Sequence, residues 1–166
     1  ATVVQRCLDE GAIILCKTVQ DEFGFGGFSI NTGLGVDKPL NPFDTKRTTG
    51  GSSGGAAGLT KKASFPHLAL AESTGGSIAN PAAFCGVTGF TPTYGRVSRY
   101  GLIDYANSLD KIGTMATTVH DAALLLEHIS GPDPHDSTAS TQIVPSYSEV
   151  PGALTGLRIG VVKEAF

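Results

Sequence analysis

Two glycine-serine tracts, Gly50-Gly51-Ser52-Ser53-Gly54-Gly55 and Ser73-Thr74-Gly75-Gly76-Ser77, restrict this chain more than any other part of it. Glycines on either side of a serine let the backbone approach a bound molecule and turn its N–H groups inward, as an oxyanion hole requires. Each tract leads into a segment of helical character, whose first free amides favour negative charge at that same point. A hydroxyl placed there is a candidate nucleophile; either tract alone also reads as an ordinary turn. Glycine makes up 22 of the 166 residues with no G-X-Y period, so backbone freedom is needed at several separate places.

The remaining composition narrows the classes. At 166 residues and 17.0 kDa the chain fits one domain. With 40% hydrophobic and 16% charged residues and a net charge of -3, it has the means to fold. That charge argues against a nucleic-acid surface as its main business. Cys7, Cys16 and Cys85 lack C-x-x-C spacing; Cys7 and Cys16 lie in apolar stretches where thiols pack as small hydrophobes, which suits a reducing compartment. No apolar run reaches the length of a membrane span and no secretory leader is legible, so a soluble protein is expected. The missing initiator Met, with a start inside a helical pattern, points to a truncated or processed beginning.

Val3, Val4, Cys7 and Leu8 recur at helical spacing and Gly11 follows as a left-handed cap, predicting a helix over residues 1–10. The apolar run Ala12 to Cys16 reads as a strand buried on both faces, as does Leu157 to Val162. Residues 21–51 form a long loop rich in glycine, and loops of that length are commonly functional. Short helices are expected over 53–62 and 77–84, with Pro81 tolerated in the first turns, and a short strand over 68–71. The clearest helix begins at the capping pattern Thr118-x-x-Asp121, shows Val119, Ala122, Ala123, Leu126 and Ile129 on one face, and stops at Gly131-Pro132. Residues 133–152 read as a loop or connection.

Three general motifs fail. Gly51-Ser52-Ser53-Gly54-Gly55 has the form G-x-S-x-G, but Lys46-Arg47-Thr48-Thr49 before it is no apolar strand, as a nucleophile elbow needs. A phosphate-binding loop would place Lys where Ala56 stands. His67, His120, His128 and His135 are scattered without Cys partners at ligand spacing, so no metal site is expected.

The runs GGSSGG, STGGSIANPAAFCGVTGFTPTYGRVSRYGLI, SLDKIG and SGPDPHDST together resemble the amidase signature family, and within it the A-type subunits of the glutamyl- or aspartyl-tRNA amidotransferases. The likeness runs from Thr2 to about Phe166 and is densest over residues 50–138. It implies an α/β fold: residues 1–166 as a single, partial amidase signature domain with a mixed β-sheet covered by helices. It also implies a Ser–cis-Ser–Lys triad acting on a carboxamide. Ser77 matches the nucleophile, Ser52 the bridging serine held by a cis peptide bond, and Ser53 the supporting hydroxyl. The amides of Thr74, Gly75 and Gly76 match the oxyanion hole. A neutral Lys draws a proton from the bridging serine, which draws one from the nucleophile.

The sequence departs from the family pattern in three places. Ser73 and Ala79 stand where the family writes the Asp and Arg of D-T-G-G-S-I-R, and Val19 replaces an Asn. The triad Lys belongs to an apolar strand upstream of the segment matching Ala12 to Phe23, and this chain begins after it. Lys17 also follows an apolar run but matches another family position, so a structural or substrate-lining role is expected ahead of one as the triad base. Arg96, Arg99, Tyr100 and Asp110 are expected to brace the nucleophile loop. Phe23, Phe25 and Phe28 either line a pocket mouth or anchor a loop.

The function the resemblance implies is glutamine amide hydrolysis, the ammonia serving transamidation of mischarged Glu-tRNA(Gln) or Asp-tRNA(Asn). B- and C-type partner subunits would hold the tRNA and ATP with Mg, this chain needing no cofactor. The compartment would be cytoplasmic, or alternatively the mitochondrial matrix. The alternatives are a free-standing amidase for small amides and a catalytically incomplete segment acting as an assembly module.

Overall fold

The computed structural model describes residues 1–149 and 155–165. Helix α1 spans Thr2–Asp9. It ends as the spacing predicts: Gly11 has φ +81°, its amide donates to Leu8 O at 2.9 Å, and the Ala12 amide donates to Cys7 O at 2.9 Å. These are the paired bonds of a Schellman close, which glycine enters without a Cβ clash. Helices α2 (Gly54–Lys62) and α3 (Ala79–Cys85) follow the two glycine-serine tracts, and Pro81 falls in the first turn of α3. The first strand, β1, covers Ala69–Ser73.

Two further strands, β2 (Thr88–Phe90) and β3 (Lys111–Ala116), have no counterpart among the elements expected from the sequence. Each is short, and its pairing partner lies far away in the chain. Among the described residues the sheet is antiparallel with order β1-β3-β2, pairing Glu72 with Ile112 and Phe90 with Thr114. Alternation along the strands separates two apolar clusters. Ala69, Ala71 and Met115 pack with Ala56, Ala57, Ile78 and Cys85 from the side of α2 and α3. Ile112 packs with Val3, Cys7, Leu125, Leu126 and Ile129 on the other side. The result is helices on both faces of a small sheet, an α/β fold.

Helix α4 (Val119–Ile129) starts where predicted. Thr118 Oγ1 accepts from the Asp121 amide at 3.1 Å and donates to Asp121 Oδ2 at 2.7 Å. Ala122, Leu126 and Ile129 are buried, but Val119 in the first turn is 66% exposed and leaves the predicted face. Arg6 of α1 donates to Ile129 O and Pro132 O, both at 2.7 Å, supplying a cation to the carbonyl end of α4. Asp133 accepts from Thr2 Oγ1, Ser98 Oγ and the His135 amide, bonds that hold its carboxyl at about 2. Removing the cap with Thr118→Ala is expected to cost about 1 kcal/mol, read as a lower urea midpoint at unchanged slope.

Two expectations are overturned. Ala12–Cys16 and Leu157–Val162 form no strand and are exposed: Ile13 is 92% and Ile159 87% accessible. A continuous apolar run becomes a buried strand only when elements cover both its faces, and the described residues place none there. Cys16 is accordingly exposed, whereas Cys7 and Cys85 are buried; all three are free thiols. Residues 133–149 are irregular with turns; residues 150–152 of the expected 133–152 connection lie outside the described residues. Among the described residues no helix is long and apolar enough to cross a membrane.

Candidate active site

The first glycine-serine tract crosses the molecule where the long loop and α2 meet. The Gly51-Ser52 peptide is cis. Hydrogen bonds hold the tract from one side through Gly51 N to Gly27 O (2.9 Å), Asp21 N to Ser52 O (3.1 Å) and Gly55 N to Val19 O (3.0 Å). Ser29 Oγ adds a bond to Gly50 O at 2.8 Å. On the other side the Ser53 amide donates to Ser77 O at 3.3 Å, so the two tracts, distant in sequence, are bonded to each other.

All three serines are buried, with Ser52 1%, Ser53 4% and Ser77 9% exposed. Their hydroxyls differ in engagement. Ser53 Oγ donates to Glu72 O at 3.0 Å and accepts from the Glu72 amide at 3.3 Å, tying the start of α2 to β1. Among the described residues, Ser52 Oγ and Ser77 Oγ take part in no hydrogen bond. Two adjacent tracts thus present two uncommitted hydroxyls. Ser77 also lies just ahead of α3, where the Asn80 amide donates to Gly76 O at 2.8 Å.

The loop between β1 and Ser77 is fastened at several points. Thr74 Oγ1 donates to Asp110 Oδ1 at 2.6 Å with Glu72 Oε1 at 3.3 Å, and Lys111 Nζ donates to Thr74 O at 3.0 Å. The Gly76 amide donates to Ser73 Oγ at 3.1 Å, a short local turn. Gly75 is exposed, and its amide has no partner among the described residues. Of the three candidate oxyanion donors, the Gly76 amide is therefore already engaged, by the serine that stands in place of a carboxylate in the resembling family.

Asp110 braces this loop as expected: fully buried, it accepts from Thr74 and from the amides of Tyr105 (2.6 Å) and Ala106 (2.9 Å). Those bonds and the Arg99 charge keep its carboxyl below the usual range against the opposing effect of burial. Arg96 donates to Gln142 O and Ile143 O, and Arg99 to Asn107 O, so both brace backbone carbonyls outside the Ser73–Ser77 tract. Tyr100 instead stacks on His135, with ring centroids 4.7 Å apart. Lys17 is exposed. Phe23, Phe25 and Phe28 are more than half exposed, and Phe25 packs edge-on against Tyr105 at 4.3 Å. The described residues contain no cluster of His, Cys, Asp or Glu suited to a metal ion.

Asp21 is an organising residue that the sequence did not reveal. Its fully buried carboxylate accepts from the Ser29 amide at 2.9 Å and the Asn31 amide at 2.8 Å, closing the glycine-rich loop against the serine tract. The available signal was indirect: a long loop that is partly buried must satisfy its amides somewhere. Nor does the sequence single out Glu72. It shares with Ser53 the wall of a cavity of about 190 Å³ on the α1 side of β1, also lined by Thr18 and Gln20. Burial, then the Asp110 charge, pushes the Glu72 carboxyl up to about 7.

Two buried serine hydroxyls without a hydrogen-bond partner among the described residues thus lie on adjoining glycine-rich tracts, the second just ahead of α3. The Amidase family profile matches residues 1–166, and the chain belongs to that family. It is 50% identical over 167 residues to the A-type subunit of the glutamyl-tRNA(Gln) amidotransferase of Microcystis aeruginosa, covering 100% of this chain and 34% of that protein. Identity to the Thermus thermophilus protein of the same description is 52% over 166 residues, covering 99% and 34%. The crystal structure of the corresponding Thermotoga maritima protein superposes with TM-score 0.82 and 43% identity, covering 86% of this chain and 31% of that one. The chain thus spans about a third of the length of these relatives.

Proposed function

We propose that this chain supplies the amide-hydrolysing serines of a glutamine-dependent amidotransferase. The observation that supports this reading best is the Ser53 amide bonded to Ser77 O, with Ser52 Oγ and Ser77 Oγ otherwise uncommitted. In the proposed reaction Ser52 accepts the proton of Ser77 Oγ, which attacks the side-chain carboxamide carbon of glutamine. The oxyanion that develops faces the amides of Thr74 and Gly75, and that of Gly76 once it leaves Ser73 Oγ. The C–N bond breaks as nitrogen takes up the relayed proton and leaves as ammonia. Water then cleaves the acyl ester, releasing glutamate and restoring the Ser77 hydroxyl.

The base that drives the relay is a lysine outside residues 1–166. In this reading the partner subunits of B and C type bind the mischarged tRNA and the ATP with Mg, and this chain binds glutamine without a cofactor of its own. The weakly acidic chain leaves nucleic-acid binding to those partners. A bacterial-type cytoplasm or a mitochondrial matrix would suit the assembly.

A second reading, an assembly module without turnover, draws on one observation: the Gly76 amide is held by Ser73 Oγ, where a working site needs it directed at substrate. The test uses the full polypeptide assembled with its partner subunits and glutamine labelled with 15N in the amide. Label is expected in free ammonia and in the aminoacyl group on tRNA. Turnover of other small amides with none of glutamine would replace the reading by a free-standing amidase. Absence of any amide turnover from an intact assembly would leave the module.

A further inference from the structure

We infer that Glu72 is a positioning residue for the nucleophile loop, its carboxyl competing with that of Asp110 for the single hydroxyl proton of Thr74. This deepens the proposed amide hydrolysis and rests on it. Thr74 Oγ1 has one proton to donate; Asp110 Oδ1 takes it at 2.6 Å while Glu72 Oε1 stands at 3.3 Å. Asp110 also receives the amides of Tyr105 and Ala106 and so keeps its charge. An ionised Glu72 would be a second negative charge on the same hydroxyl, whereas a protonated Glu72 supplies the missing donor.

The surroundings leave that charge poorly compensated. From β3 and the turn before it, Asp110 and Lys111 face Glu72; the Lys111 ammonium, bonded to the carbonyls of Thr74 and Leu109, offsets only part of the effect of burial and of the Asp110 charge. Arg99 acts on Asp110 from the 98–102 loop. From the long loop, Gly24 stands near Oε2, since a Cβ there would lie 3.2 Å from it and 3.7 Å from Tyr105 Cβ. Ala1 also lines the shared cavity. The raised Glu72 carboxyl described above places the change of charge in the neutral range.

The consequence acts on catalysis through the loop. Thr74, Gly75 and Gly76 follow Glu72 closely in the chain, and their amides are the ones proposed to face the oxyanion. A new negative charge at their root opposes an oxyanion at their tip. Acylation of Ser77 then falls as pH rises through neutrality, against the upward trend of base-driven attack. The probe is glutamine with the full polypeptide and its partner subunits, followed by ammonia release from pH 5.5 to 9 in the parent, Glu72→Gln and Glu72→Asp.

The rate ratio of Glu72→Gln to parent is expected to rise at least about threefold between pH 6 and 8.5, with Glu72→Asp retaining a descending limb. A ratio that stays flat across that range overturns the inference. A second measurement needs no activity: the 13C shift of the Glu72 carboxyl in the unsubstituted protein. A midpoint between pH 6 and 8, shared by the Thr74 and Gly75 amide shifts, supports the role even if glutamine turns out not to be the substrate. A midpoint in the ordinary glutamate range near 4.5 overturns it.

Discussion

Ser77→Ala is expected to lower ammonia release from glutamine by about four to six orders of magnitude, the loss typical of removing a nucleophile that acts as part of a unit. The fold should barely notice. Ser77 contributes its carbonyl to the Ser53 amide, a bond alanine keeps, and its hydroxyl takes part in no hydrogen bond among the described residues. No buried partner is therefore left unsatisfied, and a melting temperature within about 2 °C of the parent is expected. The pairing of lost turnover with retained stability is what distinguishes a reacting hydroxyl from a structural one. Residual activity above about 1% of the parent would assign the nucleophile elsewhere. Ser53→Ala should behave oppositely: that hydroxyl bonds both backbone groups of Glu72, so the damage falls on stability as well as rate.

Gly51→Ala is expected to disable the site by a different route. A Cβ at this position would lie 2.3 Å from Asp21 Oδ2, 2.5 Å from the Ser29 amide nitrogen and 2.8 Å from that of Phe28. Two of these are backbone atoms that cannot swing aside, and the third is the carboxylate that closes the loop on Ser29 and Asn31. The tract bearing Ser52 must move away. A cost of about 3 kcal/mol is expected, at the upper end of overpacking effects, with a fall in melting temperature of roughly 6–12 °C. Calorimetry at constant protein concentration measures it. Gly27→Ala is the control, because nothing lies within 4 Å of its Cβ; it should change stability by less than about 0.5 kcal/mol. Equal effects at the two positions would show that the contacts around Gly51 relax freely.

The two substitutions probe different levels of the same arrangement, one a reacting atom and the other the close approach that holds it. Both levels are legible in the amino-acid sequence only in part. The glycine-serine tracts announce backbone approach and a hydroxyl, because those properties belong to the residues themselves. That Asp21 supports the tract is not legible, since its partners are amides of Ser29 and Asn31 that any residue types would provide. Glu72 is hidden for the same reason: its character arises from burial and from Asp110, distant in the chain, meeting it in space.

Local chemistry in the chain determined the ends of its best helices. Gly11 closes α1 through a left-handed turn, and Thr118 with Asp121 opens α4, in each case through bonds spanning at most five residues. Apolar runs were another matter. Ala12–Cys16 and Leu157–Val162 have the composition of buried strands yet lie exposed, while Lys111–Ala116, with a charge and a glycine, became the central strand of the sheet. Burial and strand pairing are relations between distant segments, so only the assembled fold decided them. It also decided that the two serine tracts touch, because the single bond from Ser53 to Ser77 closes a long loop that no short-range rule encodes.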